Sequence, residues 1–176
     1  DRIREHLSTF TPLYDGMAER LDDFVDLYPI HPAYLATFEQ LTLVEKREVL
    51  RTVESEIRQR ANEDVPTDAP GVVSIDSYRA RLVDDAAARM VPEVQEVLDK
   101  SEVVRTKIKT ALPDKQYIDT AVRIVDALSI HRLTTDDVHA RIGLTIDELR
   151  DQLCLLPPGL PKLDAVFLRT TVEAIL

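Results

Sequence analysis

The chain has 176 residues, and its 32 acidic against 22 basic side chains give a formal net charge of −10, which repels phosphate backbones and anionic membranes unless a local basic patch reverses the sign. Hydrophobic residues make up 44% but aromatics only 5%, and four glycines face ten prolines. The core must therefore come from aliphatic side chains at helical spacing, and a turn-rich β-sandwich is excluded. The single Cys154 excludes an intrachain disulfide, no run approaches the ~18 apolar residues of a membrane span, and the opening residues lack a signal-peptide pattern. A reducing, cytoplasmic setting is expected, in a piece cut from within a longer chain.

Residues 3–10 read as a short helix, and Met17, Leu21, Phe24, Val25 and Leu27 as the apolar stripe of another. The run Tyr28-Pro29-Ile30-His31-Pro32 breaks it. Pro32 suits a first helical turn, and the next stripe passes through Tyr34, Leu35 and Phe38. Thr42 and Glu45 have capping-box spacing and start a helix whose apolar face is expected to carry Val49, Leu50, Val53 and Ile57.

Residues 62–71, with three acids, two prolines and a glycine, form an exposed connector. Beyond it, 77–90 and 92–109 show apolar residues three or four apart and are expected to pair as a helical hairpin, the second opening with Pro92 and Glu93. Leu112-Pro113-Asp114 punctuates the chain again, before a helix carrying Ile118, Val122, Ile124, Val125 and Leu128 that ends near His131. From Leu133 to Leu153 the pattern is helix, glycine turn at Gly143, helix, with a threonine able to cap each helix and Val138, Ile142, Leu144 and Leu149 where a helix-turn-helix buries its core. The expected fold is all-α: a lid-like segment over 1–61, the connector 62–71, a hairpin over 72–111 and a winged-helix-like subdomain over 112–176.

A helix-turn-helix raises the question of DNA, which charge decides. Residues 112–156 hold eight acids against five bases, and the second helix carries Asp147, Glu148 and Asp151 against Arg150. A groove reader needs the reverse. These four residues are therefore candidates for contact with a protein, and a DNA-contacting adaptor stands as the alternative. None of His6, His31, His131 and His139 has the i, i+4 spacing of a helical zinc pair, so no metal site is expected. His31, between two prolines, suits either a catalytic base or a hydrogen-bonded corner, the corner being favoured. Adjacent acids such as Asp22-Asp23 and Asp84-Asp85 diverge by about 100° on a helix and share no site. Phosphate-cradling and nucleophile-elbow glycine motifs are both missing from the sequence, so no complete active site is expected.

The run from Asp26 to Glu39, DLYPIHPAYLATFE, followed by Glu45-Lys46-Arg47-Glu48-Val49-Leu50, resembles a signature of the large phage-resistance P-loop ATPases of phage growth limitation and BREX systems. Val65-Pro66-Thr67-Asp68-Ala69-Pro70-Gly71, the run from Ala127 to Thr135 and Glu148-Leu149-Arg150-Asp151-Gln152-Leu153-Cys154 are similar to the same family, so the likeness covers nearly the whole chain. It implies that a nucleotide-binding core with ATP and Mg²⁺ lies upstream, that this segment holds no cofactor itself, and that its partners are that core and other phage-defence proteins. The segment from Tyr28 to Arg51 is also similar to the lid of AAA-type ATPases. That implies a nucleotide-sensing role for Arg47, with Lys46 and Arg51 next. A guanidinium forks onto phosphate oxygens and stays charged, which suits a sensor, whereas Arg47 and Arg51 at i, i+4 suit surface ion pairing equally. A helical scaffold unrelated to any ATPase is the third reading.

Overall fold

A computed structural model describes residues 2–41, 46–134 and 143–156, with the backbone alone over 46–49. Within them the chain is all-α: α1 (Arg2–Ser8), α2 (Asp15–Glu19), α3 (Leu21–Leu27), α4 (Pro32–Gln40), α5 (Lys46–Arg60), α6 (Tyr78–Asp84), α7 (Pro92–Ala111), α8 (Ile118–Leu133) and α9 (Ile146–Leu153), with short 3₁₀ turns between some of them. No β-strand occurs among the described residues, apart from one isolated bridge between Ile30 and Val73. None of the described helices is long and apolar enough to cross a membrane. The Thr42–Glu45 box, the first helix of the expected helix-turn-helix pair and the apolar pattern near the C-terminus lie outside the described residues.

The expected second helix is two helices. Arg20 leaves the helical region at φ −126°, ψ 35°, and separates α2 from α3. A tertiary bond uses one of the spare first-turn amides of α2, the Gly16 N–H, which donates to Asp151 Oδ2 at 2.9 Å. Met17 and Phe24, on the two sides of the bend, join Leu7, Phe10, Tyr14 and Cys154 in a small core.

The larger core draws Ile30, Tyr34, Phe38 and Leu41 together with Val73, Ile75, Tyr78, Leu82, Val94 and Leu98, then Ile124, Ala127, Ile130 and Leu133, then Leu149, Leu153 and Leu155. Residues from the expected lid, hairpin and C-terminal segments are thus packed into one cluster. Residues 77–90 pack on α7, with a break in the first arm of the expected hairpin. Helix α6 stops at Asp84 because Asp85 Oδ1 accepts from the N–H groups of Ala87 (2.8 Å) and Ala88 (3.2 Å), an Asx-type turn that competes with helical hydrogen bonding. Helix α7 consequently packs chiefly along α8, cross-linked by Arg105 on Asp126 and, through α6, by the buried Arg79, whose Nε donates to Ser101 Oγ at 3.0 Å and whose Nη2 donates to Glu102 Oε2 at 2.9 Å.

Helix α5 forms as expected but faces another way. Val53 packs on the large core, yet Leu50 is 71% exposed and Ile57 41%. Glu56 lies inward instead, bonded to Arg60 Nη1 at 2.7 Å and approached by Arg81 Nη2 at 3.4 Å. These two guanidiniums compensate the buried carboxylate, and the helix turns so that they can reach it.

Candidate functional site

Three runs distant in sequence meet beside the small core: 28–31, 66–76 and 150–155. The first two are stitched by backbone. His31 N–H donates to Val73 O at 3.0 Å and Val73 N–H to Pro29 O at 2.7 Å, next to a cis Tyr28–Pro29 peptide. Gly71 sits at φ +71°, where a Cβ would come within 2.9 Å of both Tyr28 Oη and Pro66 Cδ, so position 71 excludes a side chain on conformation and on space.

His31 joins the corner to α9. As N-cap of α4, its Nδ1 accepts from Ala33 N–H at 3.0 Å, which leaves the ring proton on Nε2 to donate to Asp151 O at 2.9 Å. Burial pushes the imidazole pKa down to about 4, although the bond to Asp151 pulls the other way. Both nitrogens therefore serve the corner, and the ring packs edge-on against Phe24 at 4.7 Å.

Arg150 is the most deeply buried charge among the described residues, 2% exposed. Its Nη2 donates to Asp15 Oδ2 at 2.9 Å, Nε to Asp151 Oδ1 at 2.7 Å and Nη1 to Asp147 Oδ1 at 3.4 Å. Burial opposes its charge, but the hydrogen bonds and charges of Asp151 and Asp15 outweigh it, so its pKa is raised. Thr145 and Glu148 start the same helix as a reciprocal capping box, with Thr145 N–H on Glu148 Oε2 at 2.6 Å and Glu148 N–H on Thr145 Oγ1 at 3.2 Å. At the other end Cys154 takes the left-handed cap conformation at φ 44°, and burial pushes its thiol pKa far up, so it stays protonated. Tyr14 Oη donates to Leu155 O at 3.2 Å.

Arg123 closes the arrangement from α8. Nε donates to Asp76 Oδ2 at 2.7 Å, and Nη2 to Ser74 Oγ at 2.9 Å and Leu153 O at 2.7 Å. Above it lies a pocket of about 260 Å³ walled by residues 69–74, Asp76, Ser77, Arg60, Leu153 and Cys154. Among the described residues no group of three or more His, Cys, Asp or Glu stands where it could hold a metal ion.

A family model described as the DUF6079 second domain matches residues 1–176. The chain belongs to that family. No curated protein and no solved structure matches it.

In this DUF6079 second domain, the residues singled out from sequence fall into two places. Asp147, Glu148, Arg150 and Asp151 are together on α9, where Arg150 and Asp151 bind it to α2, Glu148 caps it, and Asp147 remains on the surface. Lys46, Arg47 and Arg51 lie in the first turns of α5. The side chains of Lys46 and Arg47 are outside the described residues, and Arg51 is exposed. The sequence does not single out Asp15, Glu56, Arg79 and Arg123, each of which acts through partners at least 19 residues away, apart from the pairing of Glu56 with Arg60. No local spacing signals such pairs.

Proposed function

We propose that this domain is a non-catalytic regulatory and interaction module, a lid with an adjoining adaptor, of a bacterial anti-phage defence ATPase. The outward-turned apolar stripe of α5 carries the reading. Leu50 and Ile57 lie on one side of that helix, the first mostly and the second partly in solvent. Covering their exposed parts with a partner gains about 1 kcal/mol or more each, and an amphipathic helix whose apolar stripe is used by its own core only through Val53 is suited to docking. The partner in this reading is the nucleotide-binding core upstream in the same protein. Lys46 and Arg47 begin the same helix, so one element would sense nucleotide and dock.

Two further features support it. The buried polar groups His31, Arg150 and Arg79 are engaged with partners inside the domain, which suits structural work and not catalysis. The family's description as a second domain also suits a module that acts beside another. The DNA-contacting alternative gains nothing from α9, whose one base, Arg150, is buried while Asp147 stays exposed.

The test is ATP turnover by the full-length protein. Arg47→Ala and, separately, Leu50→Ser with Ile57→Ser should each change turnover several-fold while leaving the thermal melt of this domain in place. Wild-type turnover in both variants would sink the reading.

A further inference from the structure

We propose that the pocket between residues 69–74 and the C-terminal end of α9 binds a phosphate-class oxyanion between Arg60 and Arg123. The two guanidiniums come from α5 and α8 and line one pocket of about 260 Å³. Each is anchored by only part of its donor set. Arg123 has Nε on Asp76 and Nη2 on Ser74 and Leu153, which fixes its plane, while its Nη1 has no protein acceptor among the described residues. Arg60 has Nη1 on Glu56, leaving Nε and Nη2 unused in the same sense. The amides of Gly71 and Val72, on the wall of the same pocket, likewise donate to no acceptor among the described residues. The side chains of Arg60 and Arg123 are 35% and 39% exposed, so a solute can reach them.

Charge favours an anion here in a chain that is acidic overall. The charged side chains that wall the pocket are Arg60, Arg123 and Asp76, two positive against one, while Glu56 behind Arg60 is also paired with Arg81. Asp76 is the wall group that opposes the ligand. Its Oδ2 is taken by Arg123 Nε and its Oδ1 by Ser74 Oγ, so its charge is matched locally. Arginine forks suit oxyanions, and the free Nε/Nη2 fork of Arg60, the Nη1 arm of Arg123 and two backbone N–H groups offer more donors than the two oxygens of a carboxylate use, whereas a phosphate group presents three or four oxygens. The ligand class is therefore a phosphate, whether free or carried by a nucleotide. This site does not depend on the docking face of α5, and either can fail without the other.

The experiment titrates the 176-residue chain with orthophosphate and with ADP at constant ionic strength, read by calorimetry and by amide NMR shifts. Saturable binding with shifts at Gly71, Val72 and the Arg60 and Arg123 side chains is expected. Arg60→Gln should weaken it about tenfold, the loss of one charge-assisted hydrogen-bonding group. Arg58→Gln, on the exposed Glu54 pair, should bind as the unaltered chain does. Arg60 is the chosen variant because Glu56 keeps Arg81 as a partner and Arg123 keeps its bonds, and an unchanged melting temperature checks that. Tighter binding of ADP than of orthophosphate assigns the site to a nucleotide's phosphates, and equal binding assigns it to free phosphate. No saturable signal with either probe, or an Arg60→Gln chain that titrates like the unaltered one, overturns the proposal.

Discussion

The junction of α9 with α2 and the 28–31 corner differs from α5 in the opposite of the usual sense, because the junction buries charge and α5 exposes hydrocarbon. At the junction Arg150, His31 and the Asp151 carboxylate are withdrawn from water, and each has a named partner. On α5, Leu50 and Ile57 are left outside while Glu56 goes in. The difference separates what the domain needs in order to hold itself together from what it leaves available to others. Buried charge demands partners on the spot and is costly to disturb, whereas exposed apolar surface costs little alone and gains free energy once covered.

The sharpest way to break the comparison is Arg150→Ala. Three carboxylates lose their common cation and a buried cavity opens. Destabilisation of about 3 kcal/mol is expected in urea unfolding, toward the lower end for a broken buried ion pair because Asp15 and Asp147 reach water. A loss below about 1 kcal/mol would place this contact with ordinary surface pairs.

A second perturbation uses pH. His31 ordinarily titrates near 6.5 and its folded value is about 4, so as pH falls from 6.5 to 4 the unfolded chain takes up a proton that the native state refuses. Stability contributed by the neutral ring is whole above pH 6.5 and is lost on the way down to pH 4. The expected loss across that window is about 3 kcal/mol. His31→Asn cannot titrate, so its urea midpoint should vary less between pH 7 and pH 4.5 than that of the unaltered chain. Identical slopes for the two would remove His31 from the account.

The smallest effect belongs to α5. Leu50→Ser should shift stability by no more than about 0.5 kcal/mol, since a mostly exposed leucine has little burial to lose. A loss of several kcal/mol would mean that the face is covered within the domain, and it would remove the basis for docking.

Much of the fold was legible in the sequence where the cause is local. Pro32 at a first helical turn, the threonine able to cap the last helix, Pro92 opening a long helix and the Pro70-Gly71 end of the connector each act locally, and each is found in place. Helix α5 was legible as a helix but not in its orientation. Periodicity assigns Leu50, Val53 and Ile57 to one face, yet which face turns inward depends on Arg81, 25 residues beyond Glu56. The segment 77–90 does pack on α7, but its break at the Asp85 side-chain turn and the longer contact of α7 with α8 were not legible, the second because it depends on tertiary partners. The α9 residues looked like a surface for partners because an Asp-Glu-Leu-Arg-Asp helix is normally solvated. Only the tertiary structure brings Asp15 and Gly16 against it.

The sequence by itself determined an all-α chain, its main breaks and several of its caps, because helix propensity, proline geometry and capping operate within about four residues. The tertiary structure decided which charges are buried, which apolar face stays outside and where two arginines share a pocket, because each depends on partners that only the folded chain brings within hydrogen-bonding distance.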